Sequence, residues 1–253
     1  MRKHRMYQVV TVMLATASCT ISTCIWAEGG LSLSQTRVIF DAKARSAKVT
    51  LNNQSDRVYL VKSRVLLTPE STTPTTAAVP FMVTPPLFRL EKESRNTVLI
   101  ARNDTSALPT DRESVFYLSF LAIPAVKKND DTALFSEEAA GMMAPQVSLG
   151  IRTVIKLFYR PSGLSLPPAA AASKLTFAQR GMQLSVNNPT PYYVTLARLT
   201  VNGQSIPVRE TGAMIAPFAS RDYSTSGITQ ANTVTWSVIT DFGGVSDEYR
   251  WSR

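Results

Sequence analysis

Cysteine and histidine are nearly absent from this chain. Two cysteines and one histidine occur in 253 residues, and all three (Cys19, Cys24 and His4) fall within the first 27 positions. That stretch has the layout of a secretory leader: a basic start at Arg2, Lys3, His4 and Arg5, a largely apolar run over residues 7–17, and small and polar residues up to Ala27, the expected last residue before cleavage. Thr16, Ser18, Thr20, Ser22 and Thr23 interrupt the apolar run, which is short for a membrane span. Ile21-Ser22-Thr23-Cys24 misses a lipoprotein signal because Thr23 stands where a smaller residue is expected. Once residues 1–27 are removed, the mature chain holds neither Cys nor His. It can form no disulfide, even in an oxidising compartment. It also lacks the parts of a serine–histidine–acid triad, a cysteine nucleophile, or a His/Cys metal site. No metal and no cofactor is expected.

Other signatures are missing too. There is no phosphate-binding glycine loop, dinucleotide motif or nucleophile elbow. The formal charge is +9; Arg2, Lys3 and Arg5 belong to the leader, which has no acid, so the mature part is near +6. Its Lys and Arg residues do not cluster among aromatics as a nucleic-acid surface requires, so no nucleic-acid partner is expected. No long segment carries a helical period with caps.

What remains is a series of short strands between turns. Residues 31–40, 47–51, 58–67, 81–84, 97–101, 115–122 and 147–159 alternate or are β-branched, and Asn52-Asn53 and Pro85-Pro86 mark turns between them. After Arg160-Pro161-Ser162-Gly163 comes Pro167-Pro168-Ala169-Ala170-Ala171-Ala172, a linker pattern. A second set follows at 175–177, 182–186, 193–201 and 234–240. This predicts an all-β chain of two sandwiches: residues 28–160, a linker over 161–173, and residues 174–253. Residues 125–146 are polar and charged, and a connection of that length is functional or disordered.

The most informative stretch is 147–161. Val147, Leu149 and Ile151 share one face, because strand side chains repeat every two residues. Beyond Thr153 both faces are apolar except at Lys156, so the strand enters its sandwich after Thr153 and stands exposed before it. Its alternating face either packs on its own core or is kept for a partner. Lys156 lies between Ile155 and Leu157-Phe158; an unpaired buried ammonium is costly, so it either snorkels to the surface or meets an anion. Arg37, within Thr36-Arg37-Val38-Ile39-Phe40, poses the same question. The acids are scattered: Glu113 precedes Val115-Phe116-Tyr117, and Asp241 sits in Thr240-Asp241-Phe242-Gly243-Gly244. Pairing with an arginine such as Arg160 is the reading preferred over acid–base catalysis.

Taken together, several segments resemble the periplasmic pilus-assembly chaperones of the PapD type. Ile155-Lys156-Leu157-Phe158-Tyr159-Arg160-Pro161 resembles that family's last strand of domain one, and Thr36-Arg37-Val38-Ile39-Phe40 its first strand. Val83-Thr84-Pro85-Pro86-Leu87-Phe88-Arg89-Leu90 resembles its proline turn, where a cis peptide is usual. Asp111-Arg112-Glu113-Ser114-Val115-Phe116-Tyr117, Asn188-Pro189-Thr190-Pro191-Tyr192-Tyr193-Val194 and Asp241-Phe242-Gly243-Gly244 also match, in the right order, over about residues 31–250.

The resemblance implies two immunoglobulin-like β-sandwich domains in a boomerang arrangement. It implies a periplasmic chaperone that lends a strand to fimbrial subunits and hands them to an outer-membrane usher, and not an enzyme. By motif, Arg37 and Lys156 grip the subunit's C-terminal carboxylate. Val147, Leu149 and Ile151 form the donated row, and Glu113, Arg160 and Asp241 form an ion network that fixes the domain angle. The connection over 125–154 is long, as in the family's long-loop branch. The disulfide usual in that branch is replaced by Ser119 and Val154, so the branch stays open, and residues 127–145 are expected to order when a subunit binds. The exposed strand also allows self-association. A secreted adhesin or carbohydrate-binding sandwich is the alternative reading; it accounts for the leader and the strands but not for Lys156. An exported hydrolase has no local signature.

Overall fold

The computed structural model describes residues 30–71, 79–125, 149–225 and 227–253. The leader and Val147 lie outside the described residues, as do residues 126–148 as a whole. The chain is all-β: two sandwiches, each closed around its own core, meet at a cleft.

In the first sandwich the strands are β1 (Leu31–Leu33), β2 (Arg37–Asp41), β3 (Ser46–Asn53), β4 (Tyr59–Leu66), β5 (Phe81–Thr84), β6 (Leu87–Leu90), β7 (Ser94–Arg102), β8 (Ser114–Pro124) and β9 (Ile151–Arg160). They form two sheets, ordered β1-β3-β7-β5 and β2-β9-β8-β4-β6. The first stretch of chain therefore changes sheets: β1 runs antiparallel to β3, and three residues later β2 runs parallel to β9. Alternation drives the packing. Tyr59, Val61 and Ser63 of β4 point inward and Leu60 and Lys62 outward. Phe40, wholly buried, meets Phe81 at 5.1 Å between ring centroids, and Phe81 meets Phe116 at 5.2 Å and Tyr159 at 5.9 Å. The peptide between Thr84 and Pro85 is cis, at the turn from β5 to β6; Ser63 of β4 donates its N–H to Pro86 O and its hydroxyl to Pro85 O.

The second sandwich contains β10 (Thr176–Arg180), β11 (Gln183–Asn188), β12 (Val194–Val201), β13 (Gln204–Ser205), β14 (Met214–Ile215), β15 (Ala219–Ser224), β16 (Thr233–Val238) and β17 (Tyr249–Ser252). One sheet is ordered β10-β11-β15; the other is β13-β12-β16-β17, with β14 beside β12. Trp236 centres the core: it packs on Phe177 at 4.7 Å, stacks on Tyr249 at 5.6 Å, and donates its indole N–H to Ala172 O at 3.0 Å. Ala171 and Ala172, from the Pro/Ala-rich stretch, are buried in this core, and Leu164 and Leu166 pack against it.

A shared device ends one strand in each sandwich. Asn53 closes β3; its Nδ2 donates to Arg57 O and Glu91 O, while its Oδ1 accepts the N–H and hydroxyl of Ser55. Asn188 closes β11 in the same way, donating to Tyr192 O and Ala216 O and accepting the N–H and hydroxyl of Thr190. A buried amide with its bonds made on both sides holds a turn rigidly.

Candidate functional site

Everything of chemical interest converges on β9. Its odd-numbered side chains Ile155, Leu157 and Tyr159 enter the first core. The even-numbered face carries Lys156, Phe158 and Arg160 and looks into the cleft. β8 pairs with β9 from Ile151 to Tyr159, but β2 pairs with it only from Lys156 to Arg160. Among the described residues, the first half of β9 therefore has a strand on one side and a free edge on the other. Leu149 is 77% exposed and Ile151 50%. Beside that edge lies a cavity of about 400 Å³, lined by Leu31, Leu33, Leu51, Phe120, Ile151 and Ile155 among others. The cavity exists because β1 has left for the opposite sheet and β2 has not yet begun.

Where the free edge ends, two cations stand side by side. Arg37 and Lys156 are register partners in the parallel β2–β9 pair, so they share a face at the spacing of neighbouring strands, about 4.8 Å. Arg37 donates from Nη1 to Ile239 O at 3.2 Å and lies 5.8 Å from the Phe158 ring centroid. Phe158 packs in turn on Tyr193 at 5.5 Å. The Arg37 Nε is buried without an acceptor, and Lys156 has no hydrogen bond or ion pair within the described residues. Burial pushes the Lys156 ammonium below its ordinary value, and the like charge of Arg37 pushes the same way. Burial lowers Arg37 as well, against the opposing charges of Asp241 and Glu113. Two like charges therefore stand side by side here, and among the described residues no carboxylate forms an ion pair with either.

At the far end of the strand the situation is reversed. Arg160 donates from Nε to Glu113 Oε1 at 2.7 Å, and from both terminal nitrogens to Asp241 at 2.8 and 3.0 Å. The other Glu113 oxygen accepts the Tyr193 N–H at 2.9 Å, and the Glu113 N–H donates to Pro191 O. Burial pushes the Glu113 carboxyl upward, with Arg160 and the Tyr193 N–H working against it. For Arg160 burial works downward, but its hydrogen bonds and the charges of Asp241 and Glu113 outweigh it and raise the guanidinium. Glu113 and Arg160 belong to the first sandwich, Tyr193 and Asp241 to the second, so these bonds tie the two together. The 240–244 turn also touches the first sandwich directly. Gly243 has φ +85° and sits against the Thr36 side chain, where a Cβ would collide with its hydroxyl. That contact is one residue away from Arg37.

Within the described residues, no group of three or more His, Cys, Asp or Glu side chains converges as metal ligands would.

Comparison with known proteins fits this geometry. Residues 30–165 match the family described as pili and flagellar-assembly chaperone, PapD N-terminal domain, and residues 170–250 match pili assembly chaperone PapD, C-terminal domain. The chain belongs to the PapD-like pili-assembly chaperones. It is 37% identical over 224 residues to chaperone protein FimB/FhaD of Bordetella pertussis, covering 87% of each chain. It is 34% identical over 220 residues to the probable fimbrial chaperone LpfB of Escherichia coli O157:H7, again covering 87% of each. Among solved structures, the E. coli chaperone DraB superposes with a TM-score of 0.70 at 33% identity, over 89% of this chain and 99% of that one. The SafB chaperone structure, in complex with the Salmonella enterica SafA pilin, gives 0.71 at 32% identity, over 89% and 97%.

Within this PapD-like frame, the structure brings Arg37 together with Lys156 and Arg160 together with Glu113 and Asp241. Leu149 and Ile151 lie apart from both groups, toward the exposed start of β9. The strand begins at Ile151, later than the alternation from Val147 suggests. Ser119 and Val154 are directly opposed across β8 and β9. Sequence reasoning passed over the Ile239 carbonyl, the Tyr193 N–H and Arg152. Two of these are backbone groups with no sequence signal; Arg152 reads as an ordinary polar residue of an alternating strand.

Proposed function

We propose that this chain is a periplasmic, non-enzymatic chaperone that binds and stabilises fimbrial subunits by donor-strand complementation and delivers them to an outer-membrane usher. The observation that carries this reading is the Arg37–Lys156 pair, half-buried, without a carboxylate partner among the described residues, and placed where the free edge of β9 ends. A subunit chain arriving along that edge makes backbone hydrogen bonds to residues 151–155, and its terminal carboxylate accepts charge-assisted bonds from Lys156 Nζ and Arg37. Such a carboxylate reverses the like-charge repulsion within the pair. Val147, Leu149 and Ile151 then present one apolar row to the subunit, while Glu113, Arg160 and Asp241 hold the two domains at the angle that leaves the cleft open. The same edge gives the free chaperone a route to self-association. In this reading residues 1–27 direct export and are cleaved, the domains occupy 28–160 and 174–253, and 161–173 joins them. The SafB–SafA complex is support from a relative that holds a pilin, and SfaE, 29% identical, is described as a periplasmic chaperone. A glycan-binding sandwich would leave the cation pair without a purpose.

The test uses a synthetic peptide with the sequence of a fimbrial subunit's last strand, prepared with a free C-terminal carboxylate and as the amide. The free acid is expected to bind more tightly by about 2 kcal/mol or more, roughly thirtyfold. Equal affinity for acid and amide would overturn the carboxylate anchor.

A further inference from the structure

Arg152 stands on the same face of β9 as Lys156 and Arg160, and among the described residues no carboxylate pairs with it. Its guanidinium is instead held by neutral oxygens from two other elements. Nε donates to the Ser119 hydroxyl at 3.0 Å, and one terminal nitrogen donates to Pro69 O at 3.0 Å and Ser71 O at 2.8 Å. Ser119 is a buried residue of β8; Pro69 and Ser71 follow β4, and Ser71 O also receives Arg64 at 3.4 Å. One side chain thus ties the exposed beginning of β9 to the neighbouring strand and to the turn beyond the next one. It does so where Ser119 and Val154 oppose each other across the ladder and no covalent link joins the strands.

We infer that Arg152 is a positioning residue for subunit capture: it pins residues 151–155 against β8, so that the opposite edge of β9 is already extended when a subunit strand arrives. This rests on the donor-strand reading above. The physical need is plain. Among the described residues this half of the strand has one strand neighbour, Leu149 and Ile151 at its start are exposed, and only Ile155 at its end is buried in the core, so its beginning has a low local opening free energy. An incoming strand that must first order its template pays for that in association rate. A planar guanidinium suits the task because its donors are fixed in a fork whose nitrogens are spread over two elements, whereas an ammonium gathers its three donors at one point on a flexible stem.

Amide hydrogen exchange of the free full-length chain is measured alongside binding kinetics of the free-acid peptide, for wild type, Arg152→Met, Arg152→Lys and Ser119→Ala. Arg152→Met is expected to speed exchange of the amides that residues 151–155 direct to β8 by roughly tenfold. It should leave exchange in β16 unchanged, and it should slow peptide association severalfold with little change in dissociation. Arg152→Lys should behave like Arg152→Met, and Ser119→Ala, which removes one acceptor, should show a smaller increase. Unchanged exchange in Arg152→Met, or full restoration by Arg152→Lys, would overturn the proposal. So would faster exchange without slower association. The exchange measurement needs no subunit. If the wild type fails to bind either peptide, the donor-strand reading falls, and with it the role in capture, while the exchange data still report whether Arg152 pins the strand.

Discussion

The two halves of β9 are built differently, although one strand runs through both. Residues 156–160 have strands on both sides, bury Leu157 and Tyr159 in the core, and end on Arg160 clamped by two carboxylates. Residues 151–155 have a strand on one side and begin with a half-exposed isoleucine. Along the shared face, cations recur every fourth residue with three different outcomes. Arg160 is bonded by acids from both domains and Arg152 by neutral oxygens of its own domain, while Lys156, at the junction of the halves, has no bonded partner among the described residues. In the proposed function, the cation without a partner among the described residues is the one that binds, and the bonded cations flank it on the same face of the strand.

Breaking the closed half has the largest expected effect. Arg160→Met leaves Glu113, 4% exposed, as a buried acid without its cation, and uncompensated charges of that kind cost about 3–5 kcal/mol. Denaturant unfolding of the variant should show a loss of that order, and an unchanged midpoint would mean the network does not hold the domains. Breaking the open half should cost binding and spare folding. Leu149→Asp and Ile151→Asp place a charge on the face to be donated, and each should weaken peptide binding by about 1–2 kcal/mol, read by calorimetry, with the unfolding midpoint unmoved.

The junction answers to pH, with the smallest effect of the three. The folded chain holds the Lys156 proton less tightly than the unfolded chain does, so its charge costs stability at neutral pH. That cost lifts as pH rises through the lowered folded value toward 10.5. Carboxylate affinity runs the opposite way and should fall over the same window as the ammonium is lost. Titrating peptide affinity from about pH 7 to about pH 10 should show the decline in wild type and little change in Lys156→Arg.

Much of this was legible in the sequence because it was written in side chains. Alternation marked β3, β-branched and aliphatic residues marked β4, and a lone cation inside each of two apolar strands marked Arg37 and Lys156. For Glu113 and Asp241 the residues suggested pairing with an arginine such as Arg160, and the family resemblance joined the three as one network. Asn52-Asn53 read as a turn, and Asn53 does hold one, from the last position of β3. Other elements carried no such mark. β15 is Ala-Ser-Arg-Asp-Tyr-Ser, with Tyr223 as its one large buried side chain, and β6 is hidden behind Pro85-Pro86. The change of sheet between Leu33 and Arg37 creates the free edge of β9, yet pairing partners are not encoded in local pattern. Backbone acceptors were invisible for a simpler reason: every residue has one. That is why the ties from Arg37 to Ile239 O and from Arg152 to Pro69 O and Ser71 O appear only in three dimensions.

The central claim is that an unfilled cation pair at the end of a free strand edge captures a fimbrial subunit by its terminal carboxylate. The most direct measurement is co-expression of the chain with a fimbrial subunit of the same organism, followed by affinity capture from the periplasm. Wild type, Lys156→Ala and Arg37→Ala are compared at matched levels of folded chaperone. The account predicts a stoichiometric complex with wild type and its loss in both variants; recovery of the full complex with both variants would contradict it.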